Sequence, residues 1–287
     1  MTRAAILLLG KPTEVHYLAP SVATVTWVLV DEHDEKRDYE HFTIPFLLTV
    51  DEALAKIRNL NQRILPGGTL FPDIMKQYDE YSIREILHNA IAHQDYTMQE
   101  RVTMVETPNS VIFSNGGYFL PGSVRNAIEQ TGPQKYYRNY ALCQGMVSFN
   151  MIDTIGRGIR KVFTEQQKRY FPMPDYQIDQ AKKEVSVKIY GKLINEQYYR
   201  LLKANPDLSL YDCIALDMVQ KHETIDKDIA ARLRKLHLVE GRYPKLFLSA
   251  YTAKTVDNKE LKTEYIRNKS FNDLHFKDMI VQYLRSF

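Results

Sequence analysis

The stretch "REILHNAIAHQDY", residues 84–96, decides how the rest of the chain is read. Ile83, Ile86, Leu87, Ala90, Ile91 and Ala92 recur at helical spacing and predict an amphipathic helix over about 80–94. Glu85, Asn89 and His93 stand at i, i+4 and i+8, so they form a second, polar row along one edge of that helix. A helix that only covers a core shows an apolar stripe and a solvated back. The row is therefore either an ordinary wet face or one wall of a site, and residues elsewhere decide between them.

The chain of 287 residues has room for one large or two modest cores. Its 25% charged and 44% hydrophobic fractions are ordinary for a globular protein. No window reaches the roughly 20 apolar residues of a membrane helix, and the opening "MTRAAILLLGK" has no small-residue cleavage signal. Two unclustered cysteines, Cys143 and Cys213, fit a reducing cytoplasm and argue against a disulfide scaffold or a cysteine zinc site. The net charge of +3 permits nucleic-acid contact without demonstrating it.

Residues 3–10 read as a short apolar helix or strand ending at Gly10. Strand-like runs at 22–31 and 40–48 follow, then a helix over roughly 50–64 with Asp51 and Glu52 in its first turn. Beyond the 80–94 helix come strands at about 101–106 and 110–114, a turn at "SNGG" (114–117), and a long lid-like segment, 118–154. A glycine-bearing loop then leads into an amphipathic helix over 152–171, and strands at 175–180 and 184–190 form a hairpin. From about 192 the texture changes to three short charged helices and a turn-and-strand segment. An amphipathic pattern over 273–287 reaches the final residue, which reads as a fragment of something longer.

A phosphate loop is excluded. "LLLGKPT" has Ala5 where the first glycine of that motif belongs, and Lys11 is followed by Pro12 rather than a hydroxyl. No P-loop motor runs on this chain alone. The informative combination is Glu85 and Asn89, one turn apart, with "NGG" (115–117) and "GRG" (156–158). A Glu can polarise water as a general base, and an Asn oxygen can hold Mg²⁺ on a triphosphate. Gly156 and Gly158 ahead of a helix let backbone N–H groups approach phosphate. Each feature alone fits a solvated helix or a plain turn; the joint order is that of the GHKL nucleotide-binding domain. A metal held by His88, His93 and Asp95 is disfavoured, because the two histidines sit about 140° apart on a helix. His93 and Asp95 instead read as bonding the helix end and the loop after it.

Four stretches carry a wider likeness: "REILHNAIAHQDYT", "VIFSNGGYFLPGS", "YYRN" (136–139) and "NMIDTIGRGIRKVF". Together the chain resembles the bacterial family of RecG-like ATP-dependent helicase-related proteins and transcriptional regulators. Full-length members join a divergent AlbA (Schlafen-like) domain to a GHKL-like ATP-binding module and winged helices. The likeness runs over nearly the whole chain, without a counterpart of the AlbA-like domain. It implies Glu85 as base and Asn89 as magnesium ligand, Asn115 and Gly117 at the adenine, and Gly156 and Gly158 at the phosphates. The adenine box departs from the family's Asp-x-Gly-x-Gly, since Asn115 offers an amide whose oxygen still accepts a hydrogen bond. Binding is kept by that exchange; efficient hydrolysis is not implied, and any ATPase activity is expected to be weak and Mg-dependent.

Two further features complete the reading. Arg138, in the lid, is a cation able to close over phosphates, while its neighbours Tyr136, Tyr137 and Tyr140 read as packing onto the core. Near 208–250, two helices joined by "ETID" and followed by "EGRYPK" fit a winged helix-turn-helix, with Thr224 or Asp226 as cap. Arg232, Arg234, Lys235, Arg242 and Lys245 are its candidate DNA contacts, against the alternative of a protein-binding module. The expectation is an α+β chain: a lead-in at 1–66, a GHKL-like mixed sheet with helices on one face at 67–191, and a helical winged-helix-type domain at 192–287. Its cofactors are ATP and Mg²⁺. Its partners are DNA and a second copy of the chain, in the cytoplasm and away from membranes. The competing class is a non-enzymatic GHKL-shaped scaffold or dimerisation module; another is an ATP-independent winged-helix transcription factor.

Overall fold

The computed structural model describes residues 1–64, 73–130, 132, 136–152 and 156–249. The chain is α+β and divides into two compact units. The first comprises Met1–Gln62 and Lys76–Lys192, the second Arg63–Met75 and the chain from Leu193 on.

The first unit is built on a mixed six-stranded sheet. Its strands are β1 (Thr24–Val30), β2 (Lys36–Thr43), β5 (Val102–Glu106), β6 (Ser110–Gly116), β7 (Asp175–Asp179) and β8 (Glu184–Tyr190), in the order β2-β1-β5-β6-β8-β7. Only β1 and β5 run parallel; the other neighbours are antiparallel. Period-two alternation turns one set of side chains inward. The register aligns Trp27, Met104, Phe113, Val187 and Tyr176 as one row across five strands. Met104 and Phe113 are fully buried, each such side chain contributing about 1.5–3 kcal/mol. Thr103, Val105, Ile112 and Lys188, on the other face, stay half-exposed. The helices α1 (Arg3–Leu9), α2 (Phe46–Ala55), α3 (Glu80–His93) and α5 (Tyr140–Ser148) share one apolar cluster with the inward row. α4 (Val124–Glu129) packs on α6 (Gly158–Lys168), and α6 packs on α3.

Several boundaries differ from the sequence reading. The second strand runs over 36–43, not 40–48, because Pro45 has no N–H to give a ladder and instead caps α2, so Phe46 and Leu47 are helical. That helix stops at Ala55 rather than near 64: Asn59 adopts a left-handed backbone (φ 41°) and its carboxamide oxygen accepts from Tyr78 N at 2.8 Å. Residues 61–64 then form β3, paired with β4 (Asp73–Lys76). Ser114, Asn115 and Gly116 belong to β6, and the turn begins at Gly117. The lid-like segment 118–154 carries α4 and α5. The lead-in is not a separate region, since β1 hydrogen-bonds between β2 and β5 of the common sheet.

Under the sheet, Glu106 is buried at 2% exposure. It accepts from Trp27 Nε1 at 3.1 Å and Arg58 Nε at 2.7 Å. That network ties β1, β5 and the chain after α2 together.

In the second unit, α7 (Glu196–Ala204), α8 (Leu210–Gln220) and α9 (Lys227–Lys235) precede a hairpin of β9 (Val239–Arg242) and β10 (Lys245–Leu248). That is the order of elements in a winged helix. Asn195 and Ser209 cap α7 and α8 through side-chain oxygens. Asp226 holds the cap position of α9 without a side-chain bond. Tyr198, Leu202, Leu216 and Leu233 fill the core. The helix read at 273–287 lies outside the described residues.

Replacing Glu106 with Ala strands the buried Trp27 indole N–H, while the Arg58 guanidinium, 44% exposed, turns to water. The expected loss is roughly 1–3 kcal/mol of unfolding free energy, read as a lower urea midpoint with an unchanged slope.

Candidate functional site

α3 forms where its sequence predicts, because Asp79 caps its start (Oδ2 accepting from Ser82 N at 2.8 Å) and its apolar stripe is buried against the sheet. Its last carbonyls are met by side chains from further along the chain. Asn139 Nδ2 donates to Ala92 O at 3.0 Å and Gln94 O at 2.8 Å, and Arg138 Nη1 to His93 O at 2.6 Å. Gln94, fully buried, accepts from Gly116 N at 2.8 Å and so fixes the helix end against β6.

The polar row of α3 faces a cavity of about 100 Å³ whose lining includes Glu85, Asn89, His93, Asn115, Gly156 and Gly158. Phe113, Val185, Val187 and Tyr176 of the sheet form its floor, and Tyr118, Phe119, Leu120, Gln130 and Tyr137 close other sides. Five site residues singled out from three separate stretches of sequence, Glu85, Asn89, Asn115, Gly156 and Gly158, thus meet at one place.

Each has a definite local role. Asn89 Nδ2 donates to Glu85 Oε1 at 2.9 Å, which leaves the Asn89 carboxamide oxygen as its group for a ligand. Tyr81 OH lies 3.4 Å from Glu85 Oε2. Gly158 is the first residue of α6, and a methyl on it would overlap the Glu85 carboxylate. Gly156 has φ +72°, a backbone that favours glycine, with Gly132 O beside it. Asn115, 8% exposed, donates from Nδ2 to Gly116 O at 3.1 Å, so its oxygen is again the free acceptor.

Burial shapes the titration of the wall. His88 donates from Nδ1 to Met151 O at 2.5 Å, and desolvation depresses its pKa to about 4. His93 is depressed to about 4 by burial first and the Arg138 guanidinium second. Cys143, also on the lining, is pushed up to about 11 by burial. Tyr176 is raised by burial, with the Glu85 charge adding to it. Among the described lining residues Glu85 is the one acidic side chain, and none is Lys or Arg.

The remaining sequence candidates lie elsewhere. Gly117 and Arg138 are outside the lining, and the guanidinium rests against Gly117, bonded to backbone carbonyls rather than open to a phosphate. Tyr137 turns to the cavity, whereas Tyr136 and Tyr140 are 77% and 64% exposed, contrary to the packing expected of all three. Asp95 does bond the loop, accepting from Thr97 N at 3.1 Å and Thr97 Oγ1 at 2.6 Å. Phe119, Gln130 and Tyr176 were not singled out from sequence. Strand alternation in β7 is the signal that points Tyr176 inward.

In the second unit, Arg232 pairs with Asp212 and Arg234 donates to Gly241 O, so both are held by the fold. Lys235, Arg242 and Lys245 are exposed. Among the described residues, no group of three or more His, Cys, Asp or Glu side chains could hold a metal ion, and no helix is long and apolar enough to cross a membrane.

No protein-family model matches the chain, and no curated protein does. Among solved structures, it is similar to the DIP2311 protein from Corynebacterium diphtheriae, with a TM-score of 0.58 at 16% identity. The match covers 88% of this chain and 55% of that one, so the chain spans about half its neighbour's length. A likeness at this identity shows the fold alone.

The depressed His88 has a thermodynamic signature. Between pH 6.5 and 4 the unfolded chain binds a proton there that the folded chain does not. Its contribution is intact above pH 6.5 and is lost as pH falls toward 4, by at most about 1.4 kcal/mol per unit. His88→Gln is expected to flatten the fall in melting temperature between pH 7 and 5.

Proposed function

We propose that the first unit binds an adenine nucleotide, ATP with Mg²⁺, and that the chain is a regulator acting on DNA, of the RecG-like helicase-related kind its sequence resembles. The single observation supporting the nucleotide reading is the convergence of Glu85, Asn89, Asn115, Gly156 and Gly158 on one cavity. Asn115's oxygen accepts from the adenine amino group at the apolar end, where Phe113, Val185 and Val187 supply contact area for the ring. The backbone around Gly156 and Gly158 receives phosphate at the start of α6. Asn89's oxygen holds the metal. The bound metal would offset polyphosphate charge, which matters because no described lining side chain is cationic. Glu85, steadied by Asn89, is the residue to take a proton from water, which leaves a weak ATPase within the proposal.

The DNA reading rests on Lys235, Arg242 and Lys245, three exposed cations at the end of α9 and on the hairpin. Arg232 and Arg234 contribute through positioning, each engaged within the unit. The rival reading, a scaffold that keeps the shape without the ligand, predicts no nucleotide affinity at all.

Two measurements check these proposals. Calorimetric titration of Mg-ATP should give micromolar binding to the whole chain, weakened about tenfold, or 1.4 kcal/mol, by Asn89→Ala and again by Asn115→Ala. No heat with any of the three proteins would leave the scaffold reading standing. For DNA, fluorescence anisotropy on a generic duplex should show salt-dependent binding. The combined Lys235→Ala, Arg242→Ala and Lys245→Ala variant should lower the slope of log K against log salt by about 3, and an unchanged slope would rule that surface out.

A further inference from the structure

Arg138 stands between two walls of the cavity. Its Nη1 donates to His93 O at 2.6 Å, at the end of α3, and its Nη2 donates to Tyr118 O at 2.9 Å, on the chain leaving β6. His93 and Tyr118 both line the cavity. Between the strand and Tyr118 sits Gly117, with φ +123°, and any side chain on it would overlap the guanidinium. The glycine thus serves two needs at one position: a left-handed turn and room for the arginine.

We infer that Arg138 is a positioning residue for the cavity, a latch whose planar fork extends to Tyr118 the tie that Gln94 Oε1 and Asp95 N already make between the end of α3 and Gly116 of β6. Asn89 lies one turn before His93, and Asn115 lies two residues before Gly117, so the fork acts with the Gln94 and Asp95 bonds to Gly116 on the spacing of the two carboxamides. What is positioned rests on the nucleotide reading; the latch itself does not.

The chemistry of the side chain fits the task. A guanidinium presents separated N–H groups in fixed directions, whereas an ammonium is a point donor on a flexible stem. Lysine cannot reproduce both bonds in one geometry. The neighbouring Asn139 provides an internal contrast, because both of its bonds end on carbonyls at the end of α3, Ala92 and Gln94. Asn139 caps the helix; of these two neighbours Arg138 is the one that crosses to the other wall, at Tyr118, beyond the Gln94 and Asp95 bonds to Gly116. Burial first, and the guanidinium charge second, hold the adjacent His93 imidazole below its ordinary pKa.

The test compares Arg138→Ala, Arg138→Lys and Asn139→Ala with wild type, all as the whole chain. Mg-ATP affinity is read by calorimetry, and amide hydrogen exchange by mass spectrometry over 92–96 and 117–122. Both Arg138 variants are expected to bind about tenfold or more weakly, and Asn139→Ala within about twofold despite a lower melting temperature. Exchange should rise in both segments for Arg138→Ala but only in 92–96 for Asn139→Ala. Wild-type affinity in Arg138→Ala, or equal losses in Arg138→Ala and Asn139→Ala, overturns the inference. If wild type itself binds no nucleotide, that reading fails on its own. The exchange data then decide the latch, and a rise confined to 92–96 in Arg138→Ala removes it.

Discussion

The close approach of the Glu85 carboxylate to the backbone of Gly158 is the contact around which the first unit's site is arranged. A helix start carries partial positive charge, and a carboxylate there stabilises by about 0.3–1 kcal/mol at an exposed site, and by up to ~2 when partly buried. Glu85 is 9% exposed, so the contact is made away from bulk water. Only glycine leaves room for it, and that lets α3 and α6 pack closely enough to share a cavity between them. The same contact places the Glu85 carboxyl group at the start of α6, beside a lining that has no cationic side chain among the described residues.

The sheet supplies the rigidity that this contact needs. Asn115 pairs with Val185, two residues beyond the Phe113–Val187 pair, and so shares their face. A slip of one residue in that register would turn Asn115 away from the cavity and bring Ser114 in. The register is held by the apolar row from Trp27 to Tyr176, whose misalignment would expose several buried side chains at once. One polar residue is thus aimed by the hydrophobic effect acting on its neighbours.

Much of this was legible in the residues, for identifiable reasons. The polar row of α3 has the period of a helix, and paired glycines before an amphipathic run mark a close backbone approach. What stayed hidden has no signature of that kind. Arg138 and Asn139 bond to backbone carbonyls, which every residue possesses, so nothing in "YYRN" distinguishes a clamp from a phosphate-binding lid. Arg232 and Arg234 look like free cations until Asp212 and Gly241 are brought beside them. The end of the second strand was misjudged because "FTIPFLL" is apolar throughout, and Pro45 outweighs that continuity by withholding an N–H. "SNGG" looked like a turn by composition, yet Ser114 to Gly116 complete a ladder to Ser186, Val185 and Glu184 before the chain reverses.

The second unit is discontinuous in sequence. Its first piece, Arg63–Met75, is separated by Lys76–Lys192, which carries four of the sheet's six strands, from the helices it folds with. Asp73 binds Tyr199 and Lys203 of α7, the latter at 2.5 Å, and those bonds hold the Asp73 carboxyl below its ordinary range. A cut after Lys192 would therefore not yield two intact modules. The carboxylate would leave with one half and its tyrosine and lysine with the other. Such a chain cannot be shuffled as a cassette by a single join: inheritance, and any attempt to recombine it, must carry the two crossings together.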